Sequence, residues 1–396
     1  MKDEKRTSYR ILGVVAGCGG GDWPPLLALM IALQQRGHKL RVVCDKGTVE
    51  AVTSSGLTAI CLPDELDLEN LFEAAISMLL SQKTQSFQTI HSPFKIWGEF
   101  CVDFVKKSLA AWAPSVVITS LFGISLGEIL TTEYRALRCF LNPSFYFGHS
   151  LHHLRDADFS KVGGQMYKHW LLPHVKTADL VLHATDRQFD ICAGELPGHH
   201  KYVGPMFWEI SGNEQELLNS SGPPWVLITL STSPQPGDMD IVRAALKPLE
   251  QMNVCVLVTL APSHGKDELG RVPANVHVTG YLAHSKILPL CCMVISHAGH
   301  GIVMKAMMYG VPMVLVPWGR DQPGVAVRAR RMGVATVVPR EECGVTALTD
   351  AIRKIRTVPE YQEHSRLVSS QLKKTNGVER GVGYLEQLLR KNFSLH

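Results

Sequence analysis

Apolar positions come in short continuous runs bounded by glycine, proline and small polar residues, and segments with helical spacing follow them. Such runs suit strands buried on both faces of a parallel sheet. In the first half they predict strands at residues 10–17, 40–44, 58–62, 116–119, 138–141 and 180–183, with a short one at 202–205. The second half repeats the pattern at 225–230, 255–260, 276–278, 292–296, 313–316 and 336–338. Helical spacing falls between them, at 26–35, 48–55, much of 64–107, a run ending near 176, 238–252, 302–309 and 325–332. Strand and helix in alternation predict an α/β fold of two doubly wound parallel-sheet domains, Rossmann-like, facing across a cleft. The polar stretch 209–224 is the expected linker. It separates a domain at 1–208 from one at 225–375. A last helix within 376–396 carries Val382, Leu385, Leu388 and Leu389 on one face, suited to packing back on the first domain.

The most informative stretch is 293–322. An apolar strand runs into the turn Ser296-His297-Ala298-Gly299-His300-Gly301, a helix follows, and Gly310 closes it as a C′ glycine should. Glycines let backbone N–H groups approach an anion, and the helix start carries partial positive charge, so the turn is a candidate diphosphate cradle. A second strand leads to Trp318 and to Asp321-Gln322, which can accept from and donate to vicinal hydroxyls of a sugar. Loop residues of this kind are also commonly just solvated.

The first glycine run, Gly17 to Gly21, invites a dinucleotide reading with Asp45 as the ribose ligand. The fingerprint fails because Asp22 occupies its third glycine position, where a carboxylate repels a pyrophosphate. Asp22 stands at a helix start either as an N-cap or as a base pointing into the cleft. No GxxxxGK[ST] loop occurs, and Asp238-x-Asp240 matches a metal motif in letters only, at a predicted helix start that favours acidic residues. Neither His152-His153 nor His199-His200 has metal-ligand spacing.

With 45% hydrophobic and 19% charged residues, composition is that of an ordinary globular protein. A net charge of +4 with no basic run argues against nucleic acid. No apolar run approaches the ~18 residues that span a bilayer. Ten scattered cysteines, with polar residues at the start, lead to an expected cytoplasmic location with reduced thiols.

Together these residues resemble the family-one nucleotide-sugar glycosyltransferases of the GT-B fold, of the bacterial natural-product and antibiotic type. The resemblance is strongest over 280–334 and weaker over both domains. It implies an inverting enzyme that moves a hexose from a UDP- or dTDP-sugar to a hydroxyl of a small lipophilic acceptor, without metal or other cofactor. It implies that Ser231, Thr232, Ser233, His297, Gly299, His300 and Gly301 hold the diphosphate, and Tyr281 and Leu282 the base. The sugar would meet Trp318, Asp321 and Gln322. The catalytic base falls at Asp22, with His149, His152 or His153 as the fallback. Trp23, Phe94, Trp97, Phe145, Phe147 and His149 are the expected acceptor pocket.

Three departures stand out. Ile302 replaces a usual threonine, Lys305 replaces a ribose-gripping glutamate, and Thr119-Ser120 occupies the place of an aspartate that orients a histidine base. A monomer or homodimer with no membrane segment is expected. A non-catalytic nucleotide-sugar-binding relative, or partner of a transferase, is the alternative function, and a nicotinamide oxidoreductase a more remote one.

Overall fold

The structure is a computed structural model, and it describes residues 7–17, 20–68, 88–145, 171–190, 196–210, 222–232, 237–261 and 263–393, with the side chains of 88–96 excepted. Two wholly parallel sheets account for the strands predicted from apolar runs. The first holds β1 Arg10–Val14, β2 Lys39–Cys44, β3 Thr58–Cys61, β4 Val116–Thr119, β5 Leu137–Asn142, β6 Leu180–His183 and β7 His200–Tyr202, in the order β3-β2-β1-β4-β5-β6-β7. The second holds β8 Trp225–Thr229, β9 Cys255–Thr259, β10 Val276–Thr279, β11 Cys291–Ser296, β12 Met313–Leu315 and β13 Ala335–Val337, in the order β10-β9-β8-β11-β12-β13.

Helices cover both faces of both sheets, which is why strand residues such as Val116, Ile118, Val226 and Ile228 have no exposure at all. Those of the first half are α1 Pro24–Gln35, α2 Val49–Ser54, α3 Gln88–Leu109, α4 Ile124–Tyr134 and α5 Leu172–Lys176. The second half has α6 Asp238–Glu250, α7 His284–Ile287, α8 His300–Tyr309, α9 Gln322–Arg331, α10 Val345–Thr357 and α11 Pro359–Leu372. The final helix, α12 Gly377–Phe393, leaves the second sheet and buries Val382, Leu385 and Leu389 among Leu26, Leu29 and Leu33 of α1.

In each sheet the strand order reverses direction once, between β1 and β4 and between β8 and β11. Ligands of open parallel sheets bind outside the carboxyl ends of strands at such a reversal. The loops that leave β1 and β4 contain Asp22 and Ser120; those that leave β8 and β11 contain Thr232 and His297. Chain topology alone therefore brings the sequence-predicted residues to two facing loci.

The halves are also welded along one side. Phe145, just past β5, and Phe189, just past β6, are fully buried in the core of the second half, with Val303, Met307 and Val325. A Cβ on Gly324 would meet the Phe145 ring at 2.6 Å, so α9 can seat against that ring only with a glycine there.

Candidate active site

Asp22 is 5% exposed and does not cap α1; the N-cap position is Trp23, with no side-chain cap bond. Its carboxylate turns instead to the loop after β4. Ser120 donates its hydroxyl to Oδ2 at 2.6 Å, and the N–H groups of Leu121 and Phe122 donate to Oδ1 and Oδ2 at 3.1 and 3.5 Å. Burial outweighs these three bonds and pushes the carboxyl up from 3.8 to about 6. Ser120, on the segment where sequence comparison found no orienting aspartate, thus acts on the carboxylate directly. The Trp23 and Trp208 rings meet in a tilted contact, 5.3 Å between centroids.

Asp45 is spent on structure. It accepts from the Gly17 N–H and from the Thr48 hydroxyl at 2.7 Å. The carboxylate is thus buried and engaged by the chain's own donors.

In the facing half, Ala298 takes a left-handed φ of 66°, uncommon for a residue with a Cβ, and its N–H bonds the Ser296 hydroxyl at 3.2 Å. The kink releases the chain into α8, whose N-cap is Gly299. A Cβ on Gly299 would collide with the His297 ring, whereas one on Gly301 would meet nothing within 4 Å. The turn is tight on its inner side and open on its outer side, where the first N–H groups of α8 lack partners within the helix.

Both histidines of the turn are neutral near pH 7. Burial lowers His297 to about 4 against a hydrogen bond with the Thr229 backbone, and lowers His300 to about 3 with Arg328 adding repulsion. Among the described residues the buried His297 Nδ1 has no hydrogen-bond partner. The His300 ring, expected at the anion, turns away: its Nε2 pairs with the Thr185 hydroxyl at 3.1 Å and its edge meets Phe189. What His300 offers at the turn is its backbone N–H. Thr232, after β8, lies against Gly20, after β1, so closely that a Cβ on Gly20 would overlap it. Ser231 is buried beside it, and Ser233 lies outside the described residues.

Asp321 and Gln322 are not loop residues. They begin α9, three residues before the predicted start, with Asp321 at the N-cap. Asp321 accepts from Ser144 of the first half at 2.8 Å, and Gln322 Oε1 accepts from the N–H groups of Trp318 and Gly319 at 2.9 and 3.4 Å. They shape the loop that carries the half-exposed Trp318. Leu282 is buried, and Tyr281 is exposed but uses its hydroxyl to accept from the Ile210 N–H at 3.0 Å. Lys305, one turn into α8, pairs at 2.6 Å with Glu209, which also accepts from the Ser285 N–H at 3.2 Å. Glu209, from the segment that joins the two halves, thus sets a carboxylate beside Lys305.

Two acceptor-pocket expectations are overturned. Trp97 is 1% exposed, packs with Leu68 and Cys101, and donates its indole N–H to the Leu66 carbonyl at 2.8 Å: it is core. Phe145 belongs to the other half's core, with the Arg328 guanidinium 3.6 Å over its ring. Phe147, His149, His152 and His153 lie outside the described residues, as does the side chain of Phe94 in α3. The metal-like Asp238 and Asp240 pair with Arg340 and Arg243. Among the described residues no three His, Cys, Asp or Glu side chains cluster as a metal site, and no helix is long and apolar enough to cross a membrane.

Two parallel-sheet domains with facing switch points, closed by a last helix that crosses back, constitute the GT-B fold. The comparisons agree: the calicheamicin glycosyltransferase CalG4 superposes with a TM-score of 0.74 at 19% identity, over 98% of this chain and 100% of that one. The glycotransferase of kitacinnamycin gives 0.75 at 17% identity, over 97% and 99%. Residues 243–377 match the family described as "Erythromycin biosynthesis protein CIII-like, C-terminal domain". Along nearly its whole length the chain is similar to the NDP-glycosyltransferase YjiC of Bacillus subtilis, 25% identical over 93% of this chain and 94% of that protein. It is 29% identical to the O-mycaminosyltylonolide 6-deoxyallosyltransferase of Streptomyces fradiae, over 51% of this chain and 48% of the relative. The protein is a glycosyltransferase of natural-product type.

Proposed function

We propose that the protein is a metal-independent, inverting transferase that moves a hexose from a nucleoside-diphosphate sugar to a hydroxyl of a small lipophilic acceptor, with Asp22 as general base. The observation that carries this reading is the Asp22 carboxyl, buried at a switch point and raised to about 6. A carboxylate of that pKa is ionised at neutral pH yet far more basic than an exposed one. Oδ1 takes a single N–H, which leaves it a lone pair for the acceptor proton, while Ser120 and the two amides fix the plane of the group.

The acceptor oxygen attacks the anomeric carbon as the bond to the diphosphate breaks, and its proton passes to Asp22. The transition state is oxocarbenium-like, and negative charge grows on the leaving diphosphate. Support for that charge comes from the first N–H groups of α8 and from Thr232, which are fixed before reaction begins. With both turn histidines neutral, the cradle works by oriented N–H dipoles rather than by formal charge. The Glu209–Lys305 pair, beside Tyr281 and Leu282, supplies acceptor and donor groups to a ribose. Trp318, Asp321 and Gln322 address the hexose.

The test is Asp22→Asn, which keeps shape and removes basicity. Transfer to a panel of phenols, macrolides and sterols should fall by at least about 10³-fold while UDP and dTDP still raise the melting temperature. Transfer at near-normal rates would move the base to a histidine. A wild-type chain that binds nucleotide but neither hydrolyses nor transfers any sugar would establish the non-catalytic alternative.

A further inference from the structure

Three strands along from the Asp22 switch point, the first sheet ends at β7, and a pocket of about 540 Å³ opens beside this edge. That volume suits a small organic ligand. Its polar wall holds three long cations from three separate segments: Arg187 after β6, Lys201 in β7 and Arg380 in α12. Among the described residues none of the three pairs with a carboxylate. The nearby acids are engaged elsewhere, Glu379 with Arg36 and Glu386 with His38. Among the described residues Asp186 is the one carboxylate in the lining, and its Oδ1 accepts from the Gln188 N–H at 2.7 Å.

Two further features favour an anion. The first turn of α12 abuts Gly204 in the pocket wall, where a Cβ on Gly377 would meet the Gly204 carbonyl at 2.6 Å, so the positive end of a 17-residue helix lies alongside. His200, also in the lining, is lowered to about 4, by burial first and then by repulsion from His199 and Lys201. An apolar flank completes the site. Tyr384 lies under the Lys201 ammonium at 5.8 Å, and Pro197 joins it in the lining.

We infer that this pocket is a second ligand site, separate from the sugar-donor cleft, that takes a small multivalent organic anion, its phosphate or carboxylate groups on Arg187, Lys201 and Arg380 and its body against Tyr384. Three cations from three chain segments, none paired with a carboxylate among the described residues, share this lining, and an anion bound there would neutralise them. Guanidinium forks match phosphate and carboxylate alike. Thr185 in the pocket wall also bonds His300 of the donor turn, so an occupant touches the same residue that steadies α8. The inference does not rest on the transfer reaction, since a chain without activity would show the same binding.

The experiment is calorimetric titration of the full chain at low salt with pyrophosphate, AMP and citrate in separate arms. The wild type should bind pyrophosphate at one site more than the Lys201→Glu/Arg380→Glu variant. Affinity at the extra site should fall at least about tenfold in the variant and in added salt. UDP binding and the melting temperature of the unliganded chain serve as controls, and Lys201→Gln/Arg380→Gln repeats the test if charge reversal impairs folding. Citrate binding as well as pyrophosphate assigns the site to multivalent anions in general, and tighter AMP than pyrophosphate assigns the apolar flank to the ligand's body. Identical isotherms for wild type and either variant, with all three probes, overturn the proposal.

Discussion

Asp22 sits in a balance that mutation can tip. Burial raises its carboxyl, and the bonds from Ser120, Leu121 and Phe122 lower it, leaving a value of about 6. A base must be unprotonated, so activity should rise with pH through an acid limb near 6 and be flat above it. Ser120→Ala removes one donor to the ionised form, and a hydrogen bond to a charge contributes roughly 1.5–3 kcal/mol, or about one to two pKa units. The limb in kcat/KM should therefore move up by about one unit or more, with the plateau rate retained; a limb that stays put would detach Asp22 from the reaction. Stability runs the opposite way. The folded-state pKa lies above the unfolded one, so Asp22 adds no cost below pH 3.8 and a growing one as pH rises through 6. Two units correspond to about 3 kcal/mol at most, less whatever relaxation permits. Asp22→Asn should thus melt higher than wild type at pH 8 and equally at pH 4, with calorimetry at the two pH values as the check. A base held ready in a buried site weakens the fold that holds it.

Elements at the switch points were legible in the sequence because local rules govern them. Continuous apolar runs gave the strands, and Gly310 with φ 72° ends α8 where C′ glycines end helices. Asp22 and the 296–301 turn were legible for the same reason, since residue type and strand-end position already suggest chemistry. What was not legible is which side chains one half of the chain lends to the other. Trp97 and Phe145 were aromatic residues near the expected acceptor region, and nothing in their neighbourhood distinguishes a pocket wall from a core. Ser144, Thr185, Asp190 and Arg328 carried no motif because each also engages a partner more than 100 residues away. The early start of α9 belongs to this class. Asp321 and Gln322 look like loop residues until Ser144 and the Trp318 N–H are seen to engage them.

Across the whole molecule those long-range partners decide how the two halves move. Arg328 of α9 and Asp190, beyond β6, form an ion pair at 3.1 Å with no exposure on either side. Tyr202 donates its hydroxyl to the same carboxylate at 2.7 Å, and the guanidinium lies flat on Phe145. Ser144–Asp321 and Thr185–His300 flank this seam, so the side of the cleft that runs past β5 and β6 is fixed. On the β1 and β8 side Gly20 and Thr232 lie against each other, and among the described residues no hydrogen bond joins them. Breaking a buried pair by removing one partner costs roughly 3–5 kcal/mol, because the survivor is left charged without solvent. Truncating a buried phenylalanine costs about the same through the cavity that remains. Arg328→Met and Phe145→Ala should each lower stability by that amount, and calorimetry should show one transition moving as a unit. Were the halves independent, only the peak of the second half would move and the first would melt as before. Asp190→Asn together with Arg328→Met should recover part of the loss, since it removes the stranded charge, and recovery would assign the effect to the seam rather than to general loosening of α9.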